Sequence, residues 1–184
     1  MRLNCLKRSV WKTAGCRIDV ELLFERNRTM ALDTRELFES CALLEEKVSQ
    51  LYYLFAGLYA DIPELAALWN KTAEEEENHM RQFELAARIA RSAPHSHSVD
   101  PALVGQALDM ITRLTDKVRQ TPPGWQGALK LAIDIEEKLA RFHMDSVAVY
   151  DDDSINNLFK SMMSCDEQHV QSLRNYLERA GTAS

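Results

Sequence analysis

The sequence predicts an all-α protein: a bundle of four long helices, with a shorter helix in the crossover between two hairpins. Three observations carry that prediction. Apolar side chains recur at three-four spacing through most of the 184 residues. Six glycines and five prolines are too few for a many-turned β fold. The segment 44–52 has a counterpart at 135–143, so the chain reads as two copies of one helical hairpin. No stretch shows the alternation of a strand.

Each element has its own start and stop. Asp33 with Glu36 three residues later forms a capping-box pattern. Phe38, Cys41, Ala42, Val48, Ser49, Tyr52, Phe55 and Tyr59 then share one face, which predicts a helix over 33–59. Asp61-Ile62-Pro63-Glu64 restarts the chain with a cap and a first-turn proline, giving a helix over 62–91. Residues 92–99 hold Pro94, His95 and His97 and read as a solvated loop. Asp100-Pro101 opens a third helix over 100–119, which Thr121-Pro122-Pro123-Gly124 ends. A fourth helix is expected over 125–150 and a fifth over 154–180, with Gly181 at its end. The tightly joined first and last pairs should each be antiparallel, and 92–124 is long enough to cross along the bundle.

Charge divides the chain. It is 46% apolar and 27% charged, with a net charge of −6. Residues 1–30 carry seven bases against three acids, so the remainder is strongly acidic. An acidic body argues against non-specific nucleic-acid binding. The basic residues 1–30 read as an extension, loosely ordered apart from a short helix near 18–26, and 31–184 as the domain. Four separated cysteines without a C-x-x-C pair predict neither a disulfide framework nor a zinc ribbon, and suit a reducing cytoplasm. No apolar run approaches a membrane span, and the N-terminus lacks the apolar stretch of a secretory signal.

The repeat keeps chemistry as well as hydropathy. A shift of 91 lays Leu44-Glu45-Glu46-Lys47 on Ile135-Glu136-Glu137-Lys138. A shift of 90 lays Glu76-Glu77-Asn78-His79 on Asp166-Glu167-Gln168-His169. Each hairpin therefore has an acid on its first helix and acid-x-x-His on its second, where residues three apart share a face. One Glu-x-x-His alone is an ordinary solvated helix face. Two copies, each with an acid-bearing helix 30 or 31 residues upstream, are not. Four carboxylates converging in a core repel one another unless cations neutralise them. Glu45, Glu76, His79, Glu136, Asp166 and His169 are thus the candidate ligands of a two-cation centre. Glu46 and Glu137 are the alternatives one residue out of register, and the apolar flanks favour Glu45 and Glu136. Tyr52 and His143 occupy matched positions seven residues after the two acids, placed to hydrogen-bond the opposite half's carboxylates.

The pattern over residues 33–180 resembles the ferritin-like di-iron carboxylate bundles, specifically the rubrerythrin family. The resemblance implies a ferritin-like four-helix bundle holding two iron ions, or manganese, or one of each. It implies the same six ligands, with Glu45 and Glu136 bridging. It further implies an oxidoreductase acting on peroxide or O2, or oxidising Fe(II), with a separate electron donor and a homo-oligomeric state. Three departures stand out. No cysteine-rich rubredoxin module accompanies the bundle. Asp166 replaces the usual glutamate. Leu139 stands where rubrerythrins carry an extra glutamate of their peroxidase site. The competing expectations are an iron storage or handling protein and a helical bundle without metal.

Overall fold

In a computed structural model the described residues are 11–13, 16–18, 34–89, 101–147 and 153–181, without the side chains of 11–13, 16–18, 101, 143–147 and 155. Five helices make an all-α bundle: α1 Thr34–Leu58, α2 Pro63–Ile89, α3 Pro101–Gln120, α4 Trp125–Val147 and α5 Asp153–Gly181. The expected bounds lie within three residues of these. The loop expected over 92–99, the last residues expected of the fourth helix and most of the basic extension lie outside the described residues.

One short element departs from the expectation. Trp11–Thr13 (β1) pairs antiparallel with Cys16–Ile18 (β2), with Thr13 opposite Cys16. Three residues per strand are too few to show an alternating period, so nothing in the hydropathy pattern announces them. The rest of the helix expected near 18–26 falls outside the described residues.

A short turn sets the course of the first hairpin. At the end of α1 the Ile62 amide donates to the Tyr59 carbonyl at 2.9 Å, and α2 folds back along α1. Phe38 meets Phe83 while Tyr52 meets Trp69, which is an antiparallel pair. In the second hairpin Trp125 meets Tyr176, so α4 and α5 are antiparallel as well. The crossover helix α3 packs on α1. The Tyr59 hydroxyl donates to the Pro123 carbonyl at 2.7 Å and ties the end of α1 to the start of α4.

The core forms two apolar clusters. One gathers Leu51, Tyr52, Phe55, Leu65, Trp69, Leu129 and Leu173 around the α1–α2 turn end. The other gathers Phe38, Phe83, Phe159 and Met162 toward the opposite end. Each fully buried large side chain contributes about 1.5–3 kcal/mol. The boundary between the clusters falls at the same level in three helices: between Ala42 and Leu44 in α1, between Ala73 and Phe83 in α2, and between Met162 and Leu173 in α5. At that level the core is polar. No described helix is long and apolar enough to cross a membrane.

Candidate metal centre

All six expected ligands occupy this polar layer. Glu45 comes from α1, Glu76 and His79 from α2, Glu136 from α4, and Asp166 and His169 from α5. None is more than 3% exposed. The helical period brings them inward together: each acid-x-x-His pair lies on one face, and Glu45 and Glu136 continue the apolar stripes of their own helices.

Their donor atoms converge in two groups, within 4.8 Å of one another in each. One is Glu45, Glu76 and His79; the other is Glu76, Glu136, Asp166 and His169. The imidazoles join the acids. His79 Nδ1 lies 3.2 Å from Glu76 Oε2 and 3.7 Å from Asp166 Oδ1. His169 Nδ1 lies 3.0 Å from Glu76 Oε1 and 3.1 Å from Glu136 Oε2. Glu76 therefore belongs to both groups. Each imidazole reaches a different oxygen of Glu76, His79 at Oε2 and His169 at Oε1.

The neighbours in sequence face outward. Glu46 accepts from Gln50 at 3.1 Å on the helix exterior, and Glu137 pairs with Arg174 there. Tyr52 reaches across to the other hairpin, its hydroxyl donating to Glu136 Oε1 at 2.5 Å. The side chain of His143 lies outside the described residues.

Electrostatics in the layer are a contest between burial and neighbours. Burial and the adjacent Glu136 push Glu76 up, but hydrogen bonds from His169 and His79 win and hold it below the usual carboxylate range. Burial dominates at Glu136 and raises it, against the lowering effect of His169 and Tyr52. Burial alone would lower His79; contacts with Cys165 and Glu76 reverse this and push its imidazole up to about 11. His169 is raised for the same reason, against its burial, through Cys165, Glu136 and Glu76. Burial raises the Tyr52 hydroxyl, and the negative charge of Glu136 adds to it, so the phenol keeps its proton.

Four buried carboxylates with two neutral imidazoles carry a formal charge of −4, and protonating both imidazoles halves it. Two divalent cations would cancel it. The donor set fits such ions: oxygen-rich with one imidazole in each group, the chemistry that suits iron or manganese. The walls are dry. Phe38, Phe83 and Phe159 close one side, and Tyr52, Phe55 and Trp69 the other.

Two residues at the centre went unread in the sequence. Glu75 Oε2 lies 2.7 Å from His169 Nε2, and Cys165 Sγ lies 3.5 Å from the same nitrogen. Glu75 stood inside the acid run Glu74–Glu77, where nothing distinguishes one member from another. The repeat offered a signal, since the shift of 90 lays Glu75 on Cys165. Hydrogen bonds with His169 and His79 lower the Cys165 thiol, while burial and the charge of Glu45 raise that of Cys41. Neither cysteine is in a disulfide. Comparison of the chain with protein-family models, with curated proteins and with solved structures gives no match.

Proposed function

We propose that the polar layer is a dinuclear metal centre in a ferritin-like bundle, and that the protein is a non-haem di-iron oxidoreductase of rubrerythrin type. Its substrate would be peroxide, O2 or Fe(II). The observation that carries this reading is the convergence of four carboxylates and two imidazoles from four helices, none more than 3% exposed. A structural network has no use for four buried acids at this cost, whereas two cations balance them.

Glu45, Glu76 and His79 would hold one ion, and Glu76, Glu136, Asp166 and His169 the other. Iron held there would supply redox chemistry toward an oxidant. The protein's own residues do the rest. Tyr52 orients Glu136 through its hydrogen bond and keeps its own proton. The aromatic walls exclude water and fix the helix spacing. Leu139 is buried in the apolar cluster, so no acid supplements the centre at that position.

Anaerobic loading with Fe(II), followed by elemental analysis, tests the reading. Two iron ions per chain are expected, with less in Glu45→Ala and in Glu136→Ala. Glu46→Ala and Glu137→Ala should load normally, because both acids lie outside the cluster. Protein that retains neither iron nor manganese would end the proposal. Full loading of both inner variants would end the ligand assignment.

A further inference from the structure

The two nitrogens of His169 face different surroundings. Nδ1 points to the buried carboxylates, at 3.0 Å from Glu76 and 3.1 Å from Glu136. Nε2 points outward, to Glu75 Oε2 at 2.7 Å and Cys165 Sγ at 3.5 Å. Glu75, Cys165 and His169 each offer a donor atom, all within 4.8 Å of one another. Cys165 and His169 are one turn apart on α5, so they share a face, and Glu75 meets them from α2.

This group differs from the buried layer in access and in chemistry. The Glu75 side chain is 30% exposed and Cys165 is half-buried, so an ion reaches them from solvent. The donors are a thiol, an imidazole and one carboxylate, the mixture that suits zinc, cadmium or cobalt, not the oxygen-rich set that suits iron. Metal–sulfur and metal–nitrogen bonds of about 2.3 and 2.1 Å in a tetrahedron put S and N about 3.6 Å apart. The observed 3.5 Å between Sγ and Nε2 matches that spacing, while the 2.7 Å between Glu75 Oε2 and Nε2 is a hydrogen bond that an entering ion replaces by opening the pair to about 3.4 Å. Three protein ligands leave the fourth position to water.

We propose that Glu75, Cys165 and His169 form an outer cation site for a thiol-preferring divalent ion, distinct from the buried centre and joined to it through the His169 ring. The site stands on its own three donors and needs no iron in the layer behind it. Occupancy would fix the His169 ring from its outer side and so tie the state of the buried layer to the supply of such ions. The outer site is single among the described residues. The position matching Glu75 in the other hairpin is Cys165 itself, which also contacts His79.

Cobalt(II) titration of the full reduced chain tests the site, read by the near-ultraviolet sulfur-to-cobalt charge-transfer band. The band is expected in the wild type. It is also expected in a Cys5→Ser, Cys16→Ser double variant, which removes the two cysteines of residues 1–30. Cys165→Ser should abolish it, and Glu75→Gln should weaken cobalt binding about tenfold or more. Glu45→Ala tests the buried centre separately: it should lower total cobalt and leave the band. A wild type without the band overturns the outer site even if the buried layer fills. A band that survives Cys165→Ser overturns it as well. A band in protein whose buried layer stays empty supports the outer site while the proposal for the buried layer fails.

Discussion

Replacing Tyr52 by Phe isolates one hydrogen bond in the polar layer. The ring is fully buried, 5.6 Å from Trp69 and 6.5 Å from Phe55 between centroids, so Phe keeps the packing and only the hydroxyl is lost. Glu136 Oε1 then loses its phenolic donor, while Oε2 keeps His169. A hydrogen bond to a charged acceptor contributes about 1.5–3 kcal/mol. For a domain of this size 1 kcal/mol moves the Tm by about 2–4 °C, so the metal-free variant should melt about 3–12 °C lower. Tyr59→Phe is the internal control. Its hydroxyl serves a neutral carbonyl, worth about 0.5–1.5 kcal/mol, so its Tm should fall by about 1–6 °C. Thermal unfolding followed by circular dichroism measures both. A Tyr52→Phe shift under about 3 °C would refute the argument that the phenol stabilises a buried charge.

Protons should compete with metal in the layer. His79 titrates at about 11 and His169 is also raised, so both imidazoles hold a proton at neutral pH that an incoming cation must displace. Manganese affinity should therefore rise with pH, and the calorimetric heat should vary with the ionisation enthalpy of the buffer. Heat independent of the buffer would contradict this. The metal-free protein should lose stability over the same rise. The two imidazoles give up in the unfolded state, near 6.5, protons that the folded state keeps, so their contribution is complete below that pH and fades above it. Packing beside the layer has its own test. Phe83 is fully buried, 5.5 Å from Phe159, and Phe83→Ala should cost about 3–5 kcal/mol in urea unfolding. Leu85, two residues on and 54% exposed, should change stability by less than about 0.5 kcal/mol as Leu85→Ala. Equal losses would mean that the aromatic cluster does not support this end of the bundle.

The two hairpins and the ligand candidates were legible because both are periodic. A helix face repeats every three to four residues, so Cys41, Val48 and Tyr52 announce the inward side of α1, and Glu45 falls on it. The same period puts Glu46 outside, where it bonds Gln50. Glu76 and His79 follow by their own spacing, and the duplication supplies Glu136, Asp166 and His169. Tyr52 was legible as a hydrogen-bond partner for the opposite half's carboxylates; that Glu136 is the acid it meets comes from the structure.

The sequence by itself determined what is local or repeated: five helices, the turns at 59–62 and 121–124, the inward acids and the acid-x-x-His pairs. It also separated the acidic body from the basic residues 1–30. What only the tertiary structure decided is how the elements meet. Glu75 lies 94 positions from His169 and shares no period with it, yet the packing of α2 against α5 brings the two within 2.7 Å. The same packing turns Cys165 toward the imidazoles and makes Glu76 the acid common to both groups. Periodicity fixes the face that a side chain occupies, but the partner on a neighbouring helix depends on the axial offset between helices. That offset is set by the fit of bulky side chains such as Phe83 against Phe159, which no single helix encodes.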